Sequence, residues 1–134
     1  MNNNPFEDSV LTNILVVSDM KRSRSFYVDI LGAKIFREYG GDSLVLEFLG
    51  SWILLVTSGD PTADKPDVKF NPPVNKNSIS HSFTIRVKNC NESYEILKER
   101  GAEFITSPFI NGAETRCFFY GPEGHLVEIG EDRS

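Results

Sequence analysis

Histidine, cysteine and long apolar runs are all scarce in this chain, and each scarcity closes off a class of protein. Two cysteines, Cys90 and Cys117, are too few for the disulfide framework of a small secreted domain, so a reduced, cytosolic compartment is the expectation. No stretch approaches bilayer-spanning length, and the opening MNNNPFEDS has no basic region followed by an apolar one, which reads as cytoplasmic with no membrane partner. Lysine and arginine number 14 against 19 aspartates and glutamates, a net charge of -5, with no basic stripe. Such a surface makes nucleic acid and anionic membranes poor partners. No phosphate-cradling glycine motif is present, and no local serine, histidine and aspartate grouping supports covalent catalysis. A small molecule or another protein remains.

What the chain does have is patterning. At 134 residues it has the size of one domain, 1–134, able to bury a core without staples. The pattern switches between period two and period 3.6 twice, in the same order. VLTNILVV is a β-branched strand. Asp19 can cap a helix over 19–31, whose Met20, Ser23, Phe26, Tyr27, Ile30 and Leu31 share one side and which Gly32 ends. AKIFREY, SLVLEFL and WILLVT follow as three strands separated by turn-forming glycines. The order then repeats: HSFTIRV as strand, a helix near 90–100 capped by Asn89 with Glu92 three residues on, and AEFITSP, TRCFFY and HLVEIG as strands. Module one therefore spans about 10–58 and module two about 80–131. The Pro-, Asn- and Asp-rich stretch 59–79 between them is a linker, either a binding loop or a disordered connector. VVSDMKRSRSFYVDILGAKIF aligns over IRVKNCNESYEILKERGAEFI with Gly32 over Gly101 and Ala33 over Ala102. The fold class expected is α+β, with two tandem βαβββ modules whose strands form a curved mixed sheet and whose helices lie outside it.

SDMKRSRSFYVDILGAK and FFYGPEGHLVEI resemble the vicinal oxygen chelate superfamily of glyoxalase, bleomycin-resistance and extradiol dioxygenase proteins. The resemblance runs from about Val10 to Ile129. It implies a U-shaped sheet around a cleft, usually completed by dimerisation, so a homodimer is expected. It also implies, in the enzymes, a divalent metal held by histidine, histidine and glutamate from the first strand of each module and the last strands. Glu128 matches the last of these positions. The other positions fall on Thr12 and Ser82, with a fourth, found in glyoxalase I-like members, at roughly Leu54.

Glu128 poses a physical question of its own, because a buried unpaired carboxylate inside an apolar strand costs several kcal/mol. It can pair with Arg86 or Arg116, bond water in a wide cleft, or belong to an altered metal site. Period two turns Phe83, Ile85 and Val87 to the helices and puts Ser82, Thr84 and Arg86 on the other face. The same alternation sends His81 away from the cleft unless a bulge turns it inward. His125 reads as a solvated turn residue. With Glu128 and Leu54 inward, the ligand-binding candidates are Thr12, Trp52, Leu54, Ser82, Thr84, Arg86, Arg116, Tyr120 and Glu128. Val56 shares the face of Leu54, and Ile14 and Val16 that of Thr12, which makes a floor with an aromatic, several aliphatics and a few polar groups, the usual composition of a small-molecule pocket. Two function classes follow. One is a small-molecule-binding protein with a degenerate metal site and no cofactor, sequestering an organic ligand. The other is an enzyme: a divalent-metal lyase, isomerase or dioxygenase using Glu128 and His81, or a metal-free one with Glu128 as general base.

Overall fold

A computed structural model describes residues 4–134. The first sheet has the order β1-β4-β3-β2, from Thr12–Val17 (β1), Lys34–Tyr39 (β2), Ser43–Phe48 (β3) and Ser51–Thr57 (β4). β1 lies parallel to β4 and the other pairs are antiparallel. The second sheet repeats this arrangement as β5-β9-β8-β6, from Ser82–Arg86 (β5), Glu103–Phe104 (β6), Glu114–Tyr120 (β8) and Leu126–Asp132 (β9). A short extra strand, Phe109–Asn111 (β7), pairs with β8. Strand alternation did not signal it, since it is three residues long and all three are exposed. Hydrogen bonding divides the strands into two sheets, with β1 and β5 each at an edge.

Each sheet carries one helix. Asp19 accepts from the amide of Arg22 at 3.0 Å and starts α1, Met20–Ser25, which widens into a π-helical stretch over Phe26–Ile30. Gly32 closes it with φ at 83°, a conformation that costs glycine little. Asn89 accepts from the amide of Glu92 at 3.0 Å and starts α2, Cys90–Glu99. The Asn89 bond is the forward half of the expected capping box, and the first helical amide, that of Cys90, is answered from outside the helix by the Glu131 carboxylate at 2.8 Å.

Period two decides which strand residues meet the helices. Leu15 and Val17, Leu44 and Leu46, Ile53 and Leu55 are buried on the helix side of the first sheet, and Cys117, Phe119, Val127 and Ile129 on that of the second. Phe26 and Tyr27 join the same core, with the Phe26 ring 6.3 Å from that of Phe119 across the two modules. Burying a side chain the size of Phe119, wholly hidden here, stabilises by roughly 2–3 kcal/mol. A polar latch joins the same seam. The Glu123 carboxylate, in the turn between β8 and β9, accepts from the amides of Ser18 and Asp19 and the Ser18 hydroxyl, each at 2.6 Å. On the far side, Arg100 donates to the Ile30 carbonyl at 3.0 Å.

The linker is neither structureless nor free. Gly59 and Phe70 bridge, as do Thr62 and Lys65, and the Tyr120 hydroxyl donates to the Lys76 carbonyl at 2.7 Å. Gly124, at φ 94°, brings the chain against the linker so closely that an added Cβ would lie 3.1 Å from Lys76 Cγ.

Candidate functional site

The face of each sheet turned away from the helices carries the alternate residues. Thr12, Ile14 and Val16 stand on β1 next to Trp52, Leu54 and Val56 on β4, in the register Thr12 to Trp52 and Ile14 to Leu54. The Phe36 ring meets Trp52 edge-on at 4.9 Å. The second sheet presents Ser82, Thr84 and Arg86 on β5, Glu128 and Gly130 on β9, and Glu114, Arg116, Phe118 and Tyr120 on β8.

Glu128 is buried, at 7 % exposure, on this otherwise open face. It avoids the penalty of an unpaired charge through two neighbours. Thr84, its register partner, donates its hydroxyl to Oε1 at 2.6 Å. Arg116 brings Nε to 3.8 Å from Oε2. The same guanidinium donates through Nη1 to Glu114 Oε1 at 2.8 Å, and Arg86 reaches the other Glu114 oxygen at 2.9 Å. Hydrogen bonds from Arg86 and then Arg116 hold the Glu114 carboxyl below its usual range, and Glu114 in turn raises the Arg86 guanidinium. Arg86 spans β9 to make this contact over Gly130, where a Cβ would sit 2.8 Å from its Nη1. A side chain at 130 would push the guanidinium aside.

The sequence candidates therefore separate into groups. Thr84, Arg116 and Glu128 meet, with Arg86 joined through Glu114. Thr12, Trp52 and Leu54 lie together in the other sheet. Ser82 pairs with Leu126 in register, two places from Glu128, and the Tyr120 hydroxyl is engaged by the linker. The His81 ring packs edge-on to that of Phe83 at 5.5 Å. His125 departs from the solvated turn residue expected. It is half-buried, and its Nδ1 is sealed from solvent without a hydrogen-bond partner. Burial holds its imidazole below the usual value against the opposing pull of Glu123. Sequence reasoning also missed Glu114, although it alternates with Arg116 on β8. Nothing in the sequence signalled Glu123, whose partners lie 104 and 105 residues away.

The residues at the implied metal positions do not fit a divalent cation. Threonine, serine and leucine offer no nitrogen, sulfur or carboxylate, and the one acid present is already held by a hydroxyl and a guanidinium. Among the described residues, no three histidine, cysteine, aspartate or glutamate side chains group to hold a metal ion. Nor is any described helix long and apolar enough to cross a membrane.

Comparison with solved structures finds the same fold at low identity. A glyoxalase/bleomycin resistance protein/dioxygenase from Alicyclobacillus acidocaldarius superposes with TM-score 0.69 at 20% identity, over 99% of this chain and 96% of that one. Lactoylglutathione lyase from Agrobacterium tumefaciens gives 0.66 at 15%, covering 93% and 94%, and the fosfomycin resistance protein FosX from Listeria monocytogenes gives 0.64 at 18%, covering 92% of each. A search of curated proteins finds no match. The model of one family matches residues 9–129, nearly the whole repeated pattern, and with the two-module architecture this means that the chain belongs to the Glyoxalase/Bleomycin resistance protein/Dioxygenase superfamily.

Proposed function

We propose that this chain binds a small organic molecule, planar or aromatic, on the open faces of its sheets, and holds it without a metal cofactor. The observation that supports this reading is the state of Glu128, an acid at the metal position that is buried and answered by Thr84 and Arg116. The ligand's apolar surface would rest on Trp52 and Leu54 beside Thr12. Ser82, Arg86, Arg116 and the Tyr120 ring would supply polar and edge contacts on the other sheet. Two copies would pair as a homodimer, which is consistent with apolar side chains left bare outside the core, such as Leu11 at 80% and Phe109 at 65% exposure. Cys90 and Cys117 are both free and buried in the core, which suits a reducing cytoplasm.

Trp52 is the single tryptophan, so its emission reports on the proposed face directly. Titration with naphthalene- and quinoline-type compounds should change that emission saturably, while metal analysis of the purified protein stays blank. The neighbour named as a lactoylglutathione lyase keeps a catalytic alternative in view: a divalent-metal lyase, isomerase or dioxygenase using Glu128 and His81. A stoichiometric first-row metal in the purified protein, with no saturable change at Trp52, would overturn the binding reading in favour of that alternative.

A further inference from the structure

The linker and the free edge of β1 border a separate, partly open hollow of about 740 Å3. β1 forms one wall from Thr12 to Val16, and Asn71, Asn75, Ser78, His81 and His125 contribute to the others. Of the ligand contacts proposed for the sheet faces, Thr12 alone reaches it. The volume is within the range of small-molecule sites, about 300–1,000 Å3.

β1 also offers backbone to this space. The Val17 carbonyl accepts from the Ser58 amide on the β4 side, so the carbonyl of Val16, one residue earlier, points the other way, to the open edge. Ile14 shares the parity of Val16, so its N–H and C=O open on the cavity, as expected of an edge strand.

The wall has one unusual property, its lack of charge. Aspartate, glutamate, lysine and arginine make up 25% of the chain, yet among the described residues none of them lines this cavity. The nearest charged neighbours in sequence are turned elsewhere. Lys76, between Asn75 and Ser78, places its ammonium over the Tyr120 ring at 5.4 Å, and Glu123, next to Gly124, spends its carboxylate on Ser18 and Asp19. What remains is amides, hydroxyls, imidazoles and aliphatic surface. An ion seated against such a wall would give up part of its hydration with no counter-charge to replace it, whereas a neutral molecule could exchange water hydrogen bonds for those of the wall.

We propose that this cavity is a binding site for a neutral, hydrogen-bonding organic molecule, of the size of a sugar or a ring amide. It is independent of the reading of the sheet faces, and the two fail separately, because one is read at Trp52 and the other at the amides of the linker.

Amide NMR spectra of the full chain, titrated with two sets of matched probes, test it. Benzamide, benzoate and benzamidinium share a shape and differ in charge; glucose, glucuronate and glucosamine do the same for a polyol. Benzamide or glucose should move the Ile14, Ser78 and His81 amides saturably, with the charged members of the same set binding about tenfold more weakly. Ser80→Asp, which places a carboxylate in the wall, should reverse the order in favour of benzamidinium or glucosamine. Absence of saturable shifts from both neutral probes at tens of millimolar would overturn the proposal. So would equal or tighter binding of a charged member to the unaltered chain, or an order that Ser80→Asp leaves unchanged.

Discussion

At the scale of single residues, the alternation of β-strands made much of the site legible. Period two alone puts Thr84, Arg116 and Glu128 on one face, and they meet there. What it could not supply was the hydroxyl that Glu128 would find, because that depends on the register of β5 against β9, a parallel pairing made by chain ends more than forty residues apart. The register sets Thr84, not Ser82, opposite the acid. This predicts an order of effects. Glu128→Gln keeps an oxygen for the Thr84 hydroxyl and loses only attraction to Arg116, which is 3.8 Å away and retains Glu114, so about 1 kcal/mol, or roughly 3–5 °C in Tm, should be lost. Thr84→Val leaves a buried carboxylate oxygen without its donor and should cost more, about 1–3 kcal/mol. Thermal unfolding followed by circular dichroism measures both. A larger loss in Glu128→Gln than in Thr84→Val would mean that the ion pair, not the hydroxyl, carries the acid.

At the scale of elements, caps and glycine stops located both helices, because Asp19, Asn89, Gly32 and Gly101 act on backbone groups within a few residues of themselves. Features that depend on distant chain were not legible. The widening of α1 over Phe26–Ile30 and the short β7 belong to this class, and so does the docking of the linker. A stretch rich in Pro, Asn and Asp carries no period to read, yet Tyr120 fixes it by one hydroxyl. Tyr120→Phe removes that bond, keeps the ring under the Lys76 ammonium, and should free the linker by about 1 kcal/mol, close to a fivefold rise in its opening. Hydrogen exchange at Asn77 and Ser78, whose amides bond to Asn75, would register the change while Tm moves little. Unaltered exchange there would assign the anchoring to the packing of Lys76 against Gly124.

At the scale of the whole molecule, the duplication shows in the sequence but the joint between its copies does not, because the latch pairs residues of the β8–β9 turn with the start of α1. Two titratable groups sit in that joint, and their shifts act in the same direction on stability. Burial alone would raise the Glu123 carboxyl, but the amides of Asp19 and Ser18 and the Ser18 hydroxyl outweigh it and hold the group below its ordinary value. His125 is lowered by burial, against the pull of Glu123 and with a smaller push from His81. A group whose folded value lies below its unfolded one binds more protons when unfolded, so its stabilising contribution is complete above the unfolded value and is lost as pH falls. For His125 that loss begins near its unperturbed value of 6.5, and for Glu123 near 4.5. Tm should therefore be level through mildly alkaline and neutral pH, decline as the solution passes below about 6.5, and fall further below about 4.5. His125→Gln should remove the first decline and leave the second, since the Glu123 contacts with Ser18 and Asp19 do not involve the imidazole. If the first decline persists in His125→Gln, another titrating group is responsible for it, and the buried imidazole at the joint does not set the acid limit of the fold.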